Sequence, residues 1–300
     1  MGKLNLLHFA TPETRVSPFD VNMGYDAGWN AITPYSGVGL DEISGFTQDA
    51  IFSRGPKGVK HTGIFIGGRD PFIAAKMLTS ARKAMVPPFE VSVFADPSGA
   101  YTTAAAMVAQ VENTLSVHHD LTLSGLRVVI FGGTGSVGTT AAILCAQAGA
   151  KVIIPGHNGI SRAAAIAESI KLNFDVSVQA VDASSEDLKS AIVGDADIVL
   201  ATAKAGVRVL SSTYLAAAKK LLVAADINAV PPSGIEGINV MDNAVPLNAG
   251  SGCALGIGPL AIGNIKYKVQ QRLLQSMLST EKPVYIGFQE CLSEARQHGQ

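Results

Sequence analysis

The residues with the clearest chemistry form one glycine-rich run, Gly132-Gly133-Thr134-Gly135-Ser136-Val137-Gly138. Within it, Gly133, Gly135 and Gly138 have the spacing GxGxxG. The first is expected to make a tight turn, the second to let a pyrophosphate approach the backbone, and the third to let a helix pack closely on a strand. A helix starting there offers N–H groups and its positive dipole end to phosphate. Between a dinucleotide site and a purely structural glycine turn, its place between a strand and a helix favours the dinucleotide site, with Thr134, Ser136 and Val137 contributing to the same turn. At the end of the next strand, where a carboxylate would hold a ribose 2′-hydroxyl, the chain has Pro155-Gly156-His157-Asn158. Neither a carboxylate nor an arginine stands there. His157 and Asn158 can hydrogen-bond a 2′-hydroxyl or a 2′-phosphate, with Ser161 and Arg162 close in sequence. The expectation is use of either NAD or NADP; the alternative is that these are ordinary turn residues and that specificity is set elsewhere.

Other candidates admit two readings each. Asp226 and Asn228 follow a strand on the side of the sheet where cofactors bind; Asn228 either hydrogen-bonds a nicotinamide ribose or amide, or makes an Asx turn before Pro231-Pro232. Ala201 and Ala203, at the preceding strand end, are small enough to admit a ribose and also common in any such turn. Ser98–Thr103 lies at a strand-to-helix junction and either lines a substrate cleft or caps a helix. Lys266 and Lys268 follow the glycine-rich stretch Gly250–Gly263 and either reach a ligand or are solvated. No HExxH, GxSxG or GxxxxGK[ST] occurs, and the six histidines are scattered, so no metal site is expected.

These residues need elements to hold them. From Arg127 onward strands and helices alternate: strands at Arg127–Phe131, Lys151–Ile154, Val176–Val181, Asp197–Thr202 and Leu221–Asp226, and helices at Val137–Ala148, Arg162–Lys171, Glu186–Val193 and Tyr214–Lys220. Such alternation implies a doubly wound parallel sheet of Rossmann type. Upstream, Gly63–Gly68 and Val91–Ala95 read as strands and Asp70–Lys83 as a helix stopped before Pro87-Pro88. Thr102–Leu115 reads as a helix with Thr102 or Thr103 at its cap, and His118–Ser124 as the linker. Asn264–Leu278 has amphipathic helical spacing, and a last helix is expected to turn Leu292 and Ala295 inward.

The chain has 300 residues, with 23 Lys and Arg against 24 Asp and Glu, a net charge of −1, 47% hydrophobic and 16% charged residues. That balance leaves no basic footprint for nucleic acid and excludes a disordered charged tail. Cys145, Cys253 and Cys291 are odd in number and far apart. They predict neither a disulfide framework nor a zinc site, and a reducing, cytoplasmic setting. No apolar run reaches the roughly 18 residues of a membrane helix, and the N-terminal decapeptide lacks the apolar core of a signal peptide.

The chain resembles the NAD(P)-dependent methylenetetrahydromethanopterin dehydrogenases of methylotrophic bacteria. The segments that carry the likeness are Ser17–Gly28, Thr47–Pro56, Thr62–Gly68, Val86–Phe89, Val93–Ala109, Arg127–Gly138, Asp226–Ile235 and Gly256–Lys268. The resemblance implies hydride transfer from methylene-tetrahydromethanopterin to NAD or NADP, and an N-terminal α/β pterin domain (1–118, with C-terminal helices 270–300 packing back on it) followed by a Rossmann domain (119–269). It implies that the pterin lies in the cleft between the domains, and that the protein forms a trimer or hexamer. Lys266 matches the family's G-[NG]-[IL]-K stretch, which implies a role in orienting the pterin ring. Asp20 and Asp96 match segments implied to meet its amino-pyrimidine edge, with Thr102 and Thr103 as neighbours. Relatives specific for NADP carry Arg-Lys where this chain has His157-Asn158, which favours dual cofactor use. Two rival readings are the same chemistry on methylene-tetrahydrofolate with NADP, and a non-catalytic dinucleotide sensor.

Overall fold

The computed structural model describes residues 3–298. In chain order its first elements are β1 (Leu6–Thr11), α1 (Pro18–Asp26), β2 (Ala31–Ser36), α2 (Ile43–Phe52), α3 (Pro56–Val59), β3 (Thr62–Ile66), α4 (Pro71–Lys83) and β4 (Ser92–Ala95). Then come α5 (Ala100–His119), β5 (Arg127–Phe131), α6 (Ser136–Gln147), β6 (Lys151–Gly156), α7 (Ser161–Phe174), β7 (Gln179–Asp182) and α8 (Glu186–Gly194). The remainder is β8 (Ile198–Ala201), α9 (Ser212–Ala217), β9 (Val223–Asp226), β10 (Asn243–Pro246), β11 (Leu255–Ile257), α10 (Pro259–Ser279), β12 (Tyr285–Ile286) and α11 (Phe288–Ala295). The chain divides into two compact units, one of residues 1–102 and 267–294 and the other of 103–266 and 295–300.

The first unit is built on a five-stranded sheet in the order β12-β4-β3-β1-β2, all parallel. Read by position, this is the doubly wound order 2-1-3-4-5, whose topology reverses between β1 and β3. Strands β3 and β4 are buried at every residue. They read as continuous apolar or small runs rather than alternating ones, as parallel strands covered on both faces must. Helix α4 begins where Asp70 accepts hydrogen bonds from the amides of Phe72 and Ile73, at 2.8 and 3.1 Å, with Pro71 preset for the first helical position.

The second unit holds seven strands in the order β10-β11-β9-β8-β5-β6-β7, parallel except for β10 against β11. From β7 to β11 this is the Rossmann order 3-2-1-4-5-6, with its reversal between β5 and β8. Val128, Val129 and Ile130 of β5 are wholly buried at its centre. Helix α6 buries every residue from Gly138 to Cys145, and burial raises the Cys145 thiol to about 12. The expected α/β fold with a doubly wound parallel sheet is therefore present, and a second parallel sheet accompanies it.

Some boundaries differ from the sequence reading. Helix α5 starts at Ala100 and runs to His119, so Thr102 and Thr103 lie inside its first turn instead of capping it. The Asp96 carboxylate caps it, accepting from the amides of Tyr101 and Thr102 at 2.9 and 3.2 Å. Helix α10 starts at Pro259, not Asn264, and so includes Gly263; proline suits a first helical position as well as a stop. The last helix, α11, does bury Leu292 and Ala295. No helix among the described residues is long and apolar enough to cross a membrane.

Candidate active site

In the second unit the reversal point falls at the glycine run. The carboxyl ends of β5, β8 and β9 are level, with Phe131 beside Ala201 and Ala201 beside Asp226. Gly132, which the GxGxxG spacing does not count, is the residue that makes the turn: its φ is +79°, a region L-residues with side chains avoid. A Cβ there would lie 2.5 Å from the Ala203 nitrogen. The tight-turn role assigned to Gly133 thus belongs to Gly132. Gly133 is needed for packing instead, since its Cβ would meet Ile154 Cγ2 at 2.8 Å. Gly138 brings α6 onto the strand ends; its Cβ would stand 2.5 Å from both the Gly132 oxygen and Thr202 Oγ1. Thr202 is itself fixed, donating through Oγ1 to the Phe131 carbonyl at 2.9 Å.

Gly135 differs from these three. It is the N-cap of α6, with φ −89° and ψ 165°, it is exposed, and its Cβ would have only the Gly132 oxygen within reach, at 3.4 Å. Geometry internal to the protein therefore does not demand glycine there. A glycine N-cap has no side chain to satisfy the first amides of the helix, and a bare helix start of this kind suits an anionic phosphate. The residues present fit a dinucleotide pyrophosphate. Thr134, Ser136 and Val137 are half-buried around that start.

The remaining predicted cofactor residues divide. His157 and Asn158 are exposed just beyond the end of β6, in a turn closed by Gly159 at φ +91°. Ala203 packs its backbone against Gly132, whereas Ala201 is 1% exposed and belongs to the hydrophobic core. Asp226 is buried and holds its own loop: its carboxylate accepts from the amides of Asn228 and Ile235 at 2.9 and 3.0 Å. Burial raises its carboxyl above the ordinary value, and backbone bonds from Asn228, Ile235 and Gly234 oppose that rise. Asn228 makes the Asx-type turn, its oxygen accepting from Val230 and Gly206 at 3.0 and 3.1 Å and its amide donating to the Pro232 carbonyl at 2.8 Å. These two side chains shape the strand-end loop.

In the first unit a cavity of about 390 Å³ opens at the β1/β3 reversal, within the range of small-ligand pockets. Phe9 and Thr11 of β1, Gly67-Gly68 after β3, and Asp20 of α1 line its interior. Glu13, Arg15, Arg69 and Ser98 stand around it. Asp20 is 4% exposed and its Oδ1 accepts from Gln270 Nε2 of α10 at 2.6 Å. Ser98 is held in the left-handed region at φ 53°, a conformation that costs a non-glycine residue about 1–2 kcal/mol, and its Oγ donates to the Gly68 carbonyl at 2.8 Å. Of the predicted substrate residues, Asp20 lines this cavity; Asp96, Thr102 and Thr103 do not. Asp96 and Thr102 are buried and bonded to each other, Thr102 Oγ1 donating to Asp96 Oδ2 at 2.7 Å, and Thr103 is half-buried. Lys266 is half-buried on α10, one turn before Gln270 and on the same face. Among the described residues no group of three or more His, Cys, Asp or Glu is placed to hold a metal.

Sequence reasoning missed Gly132, Thr202, Gln270 and the arginines of the cavity. The doubled glycine was a visible signal for Gly132. Gln270 and Thr202 carry no motif; the sheet order brings Thr202 to its place, and the packing of α10 on α1 brings Gln270 to Asp20.

Residues 18–98 match the family model described as methylene-tetrahydromethanopterin dehydrogenase, N-terminal. The chain is 46% identical over 286 residues to the NAD(P)-dependent methylenetetrahydromethanopterin dehydrogenase of Methylorubrum extorquens, covering 95% of this chain and 96% of that one. It is 32% identical over 285 residues to the bifunctional protein MdtA of the same organism, with 95% and 96% covered. Among solved structures, NAD-dependent malic enzyme of Thermotoga maritima has a TM-score of 0.55 at 12% identity, over 97% of this chain and 84% of that one. Shikimate 5-dehydrogenase of Listeria monocytogenes has 0.52 at 15% identity, over 94% and 93%; both likenesses concern the fold. The identity to the Methylorubrum enzyme, sustained from end to end of both sequences, makes this chain a member of the NAD(P)-dependent methylenetetrahydromethanopterin dehydrogenase family.

Proposed function

We infer that the chain oxidises methylene-tetrahydromethanopterin to the methenyl form with NAD(P)+. The observation that carries this is the 46% identity over 95% of the chain to a relative of that name. NAD(P)+ supplies the hydride acceptor when bound. We assign the dinucleotide to the second unit, with the pyrophosphate at Gly132–Gly138 and the ribose at His157-Asn158, and the pterin to the first unit, in the cavity at the β1/β3 reversal.

The chemistry asks little of ionised side chains. Two nitrogens flank the reacting carbon, and their lone pairs stabilise the cation as hydride leaves. No proton is removed, so no general base is needed, and the protein's task is positioning and exclusion of water. Asp20 is assigned to accept N–H bonds from the amino-pyrimidine edge, and Lys266 to orient the ring by hydrogen bonding. Asp96 and Thr102 serve the site by fixing the start of α5 and the turn that carries Ser98; Thr103, outside the lining of the cavity, is given no contact with the pterin. Homo-oligomerisation, as a trimer or hexamer, and a cytoplasmic location complete the proposal. Val240, Met241, Val245 and Leu260, exposed on the second unit, suit a buried interface.

The deciding assay supplies purified protein with methylene-tetrahydromethanopterin and methylene-tetrahydrofolate at matched concentrations, each with NAD+ and NADP+. Turnover of the methanopterin compound with both cofactors is expected. Turnover of the folate compound alone, or binding of NAD(P) without reduction, overturns the assignment.

A further inference from the structure

The sheet of the second unit places a carboxylate one strand beyond the position where the sequence lacks one. Asp182 is the last residue of β7, and in the parallel register its Cα pairs with Gly156, the residue just before His157. The two strand ends are joined there by a bond from the Ala183 amide to the Gly156 carbonyl at 3.0 Å. Asp182 is half-buried, and its Oδ1 accepts from the Ser184 amide at 2.8 Å. Hydrogen bonds from the Ser184 hydroxyl and amide hold its carboxyl below the usual range, so it is ionised at neutral pH. One oxygen is thereby fixed to the loop, and a carboxylate has acceptor capacity on both oxygens.

Strands β5, β6 and β7 form one mononucleotide-binding half of the fold. With the pyrophosphate on the turn after β5 and the ribose beyond β6, the base extends outward past the end of β7, about 5 Å further along the sheet. We propose that Asp182 recognises the adenine base of the dinucleotide, accepting a hydrogen bond from its exocyclic 6-amino group. The proposal rests on the dinucleotide reading of this unit. It also accounts for the tolerance of both cofactors: the only carboxylate on these two strand ends sits at the base, leaving the 2′ position to the uncharged Asn158 and the imidazole of His157. A carboxylate at the 2′ position would instead repel the phosphate of NADP.

Calorimetric titration of the full-length protein with NAD+, NADP+ and the analogue of NAD+ whose base is hypoxanthine tests this. The analogue replaces the 6-amino donor by an oxygen that faces the carboxylate. Wild-type protein should bind NAD+ about tenfold more tightly than the analogue, the scale of one charge-assisted hydrogen bond. Asp182→Ala should bring that ratio close to one while changing the NAD+ to NADP+ ratio less than about twofold. Asp182→Asn, which keeps an acceptor for the Ser184 amide, should also lower the base preference, because its amide can donate to the hypoxanthine oxygen. Equal wild-type affinities for NAD+ and the analogue, or an unchanged ratio in both variants, would overturn the proposal. So would a gain confined to NADP+, which would place the carboxylate at the ribose. Absence of NAD+ binding to the wild-type protein would overturn the dinucleotide reading itself, and this proposal with it.

Discussion

Gly135 and Gly138 stand three residues apart in one motif, and the structure predicts that adding a methyl to each has opposite consequences. At Gly138 the new Cβ would lie 2.5 Å from the Gly132 oxygen and from Thr202 Oγ1, and 2.7 Å from the Gly133 Cα. Two of these neighbours are backbone, and the third is a hydroxyl already bonded to Phe131. Relief needs a shift of about 1 Å between the start of α6 and the strand ends, and overpacking of that kind costs about 1–3 kcal/mol. At Gly135 the nearest neighbour is the Gly132 oxygen at 3.4 Å, an ordinary contact. The cost there is that of alanine for glycine at an N-cap, up to about 1 kcal/mol. At roughly 2–4 °C per kcal/mol, Gly138→Ala should lower Tm by several degrees and Gly135→Ala by no more than about 4 °C. Binding should run the other way. The Gly135 methyl projects outward at the helix start, into the space assigned to the pyrophosphate, and should weaken NAD(P) by more than about tenfold, or 1.4 kcal/mol. Thermal unfolding with and without cofactor, and cofactor titration of each variant, measure both effects. Wild-type affinity in a folded Gly135→Ala protein would refute the placement of the pyrophosphate.

Three further outcomes follow from the same geometry. Lys266→Ala should raise KM for the pterin or lower kcat by about tenfold or more while leaving the Kd for NAD(P) within about twofold; an unaltered rate at low pterin concentration removes Lys266 from the site. His157→Arg should shift kcat/KM toward NADP by about tenfold through a charge-assisted bond to the 2′-phosphate, and an unchanged ratio of the two cofactors would place the discrimination elsewhere. Gln270→Leu removes the donor 2.6 Å from Asp20 and should cost about 1–3 kcal/mol of stability together with a rise in pterin KM. Denaturant unfolding and initial rates check the two parts separately, and a loss of stability with no change in KM would make the pair purely structural.

The two sheets were not equally legible. The second unit announces itself because its helices and strands alternate at regular length: Arg127–Phe131 is β5 to the residue, and Glu186 opens α8 as expected. The first unit is also a doubly wound parallel sheet; its β3, α4 and β4 are legible close to their observed bounds, but its two strands β1 and β2 and its edge strand are not. Its β1 (Leu6–Thr11) includes His8 and Thr11, and β2 includes Pro34, so neither shows a continuous apolar run. Its fifth strand is only Tyr285-Ile286, contributed from far along the chain. Pairing made over such separation leaves no local pattern. The same limit applies to the sites. GxGxxG is a local device and was visible, but the Asp20–Gln270 contact spans 250 positions, and the pairing of Gly156 with Asp182 depends on strand register.

Sheet order carries what spacing could not. In each unit the order reverses once, between β5 and β8 in one and between β1 and β3 in the other. At such a point the connections leave to opposite faces, so the strand ends are uncovered and a crevice is unavoidable. In the second unit the crevice is closed down by glycines until backbone meets backbone at Gly132 and Ala203, which leaves amides and a helix start to meet phosphate. In the first unit Gly67-Gly68 also makes a close approach, here to β1. A Cβ on Gly67 would meet the Phe9 ring at 2.8 Å, so the glycine lets the turn lie close on β1, and the carboxylate and guanidinium groups of Asp20, Glu13, Arg15 and Arg69 line the cavity beside it. One topological rule, supplied with backbone donors in one unit and charged side chains in the other, yields one site suited to phosphate and one suited to a polar heterocycle. Such a division suits hydride transfer between two bound molecules, where the protein's part is to position them.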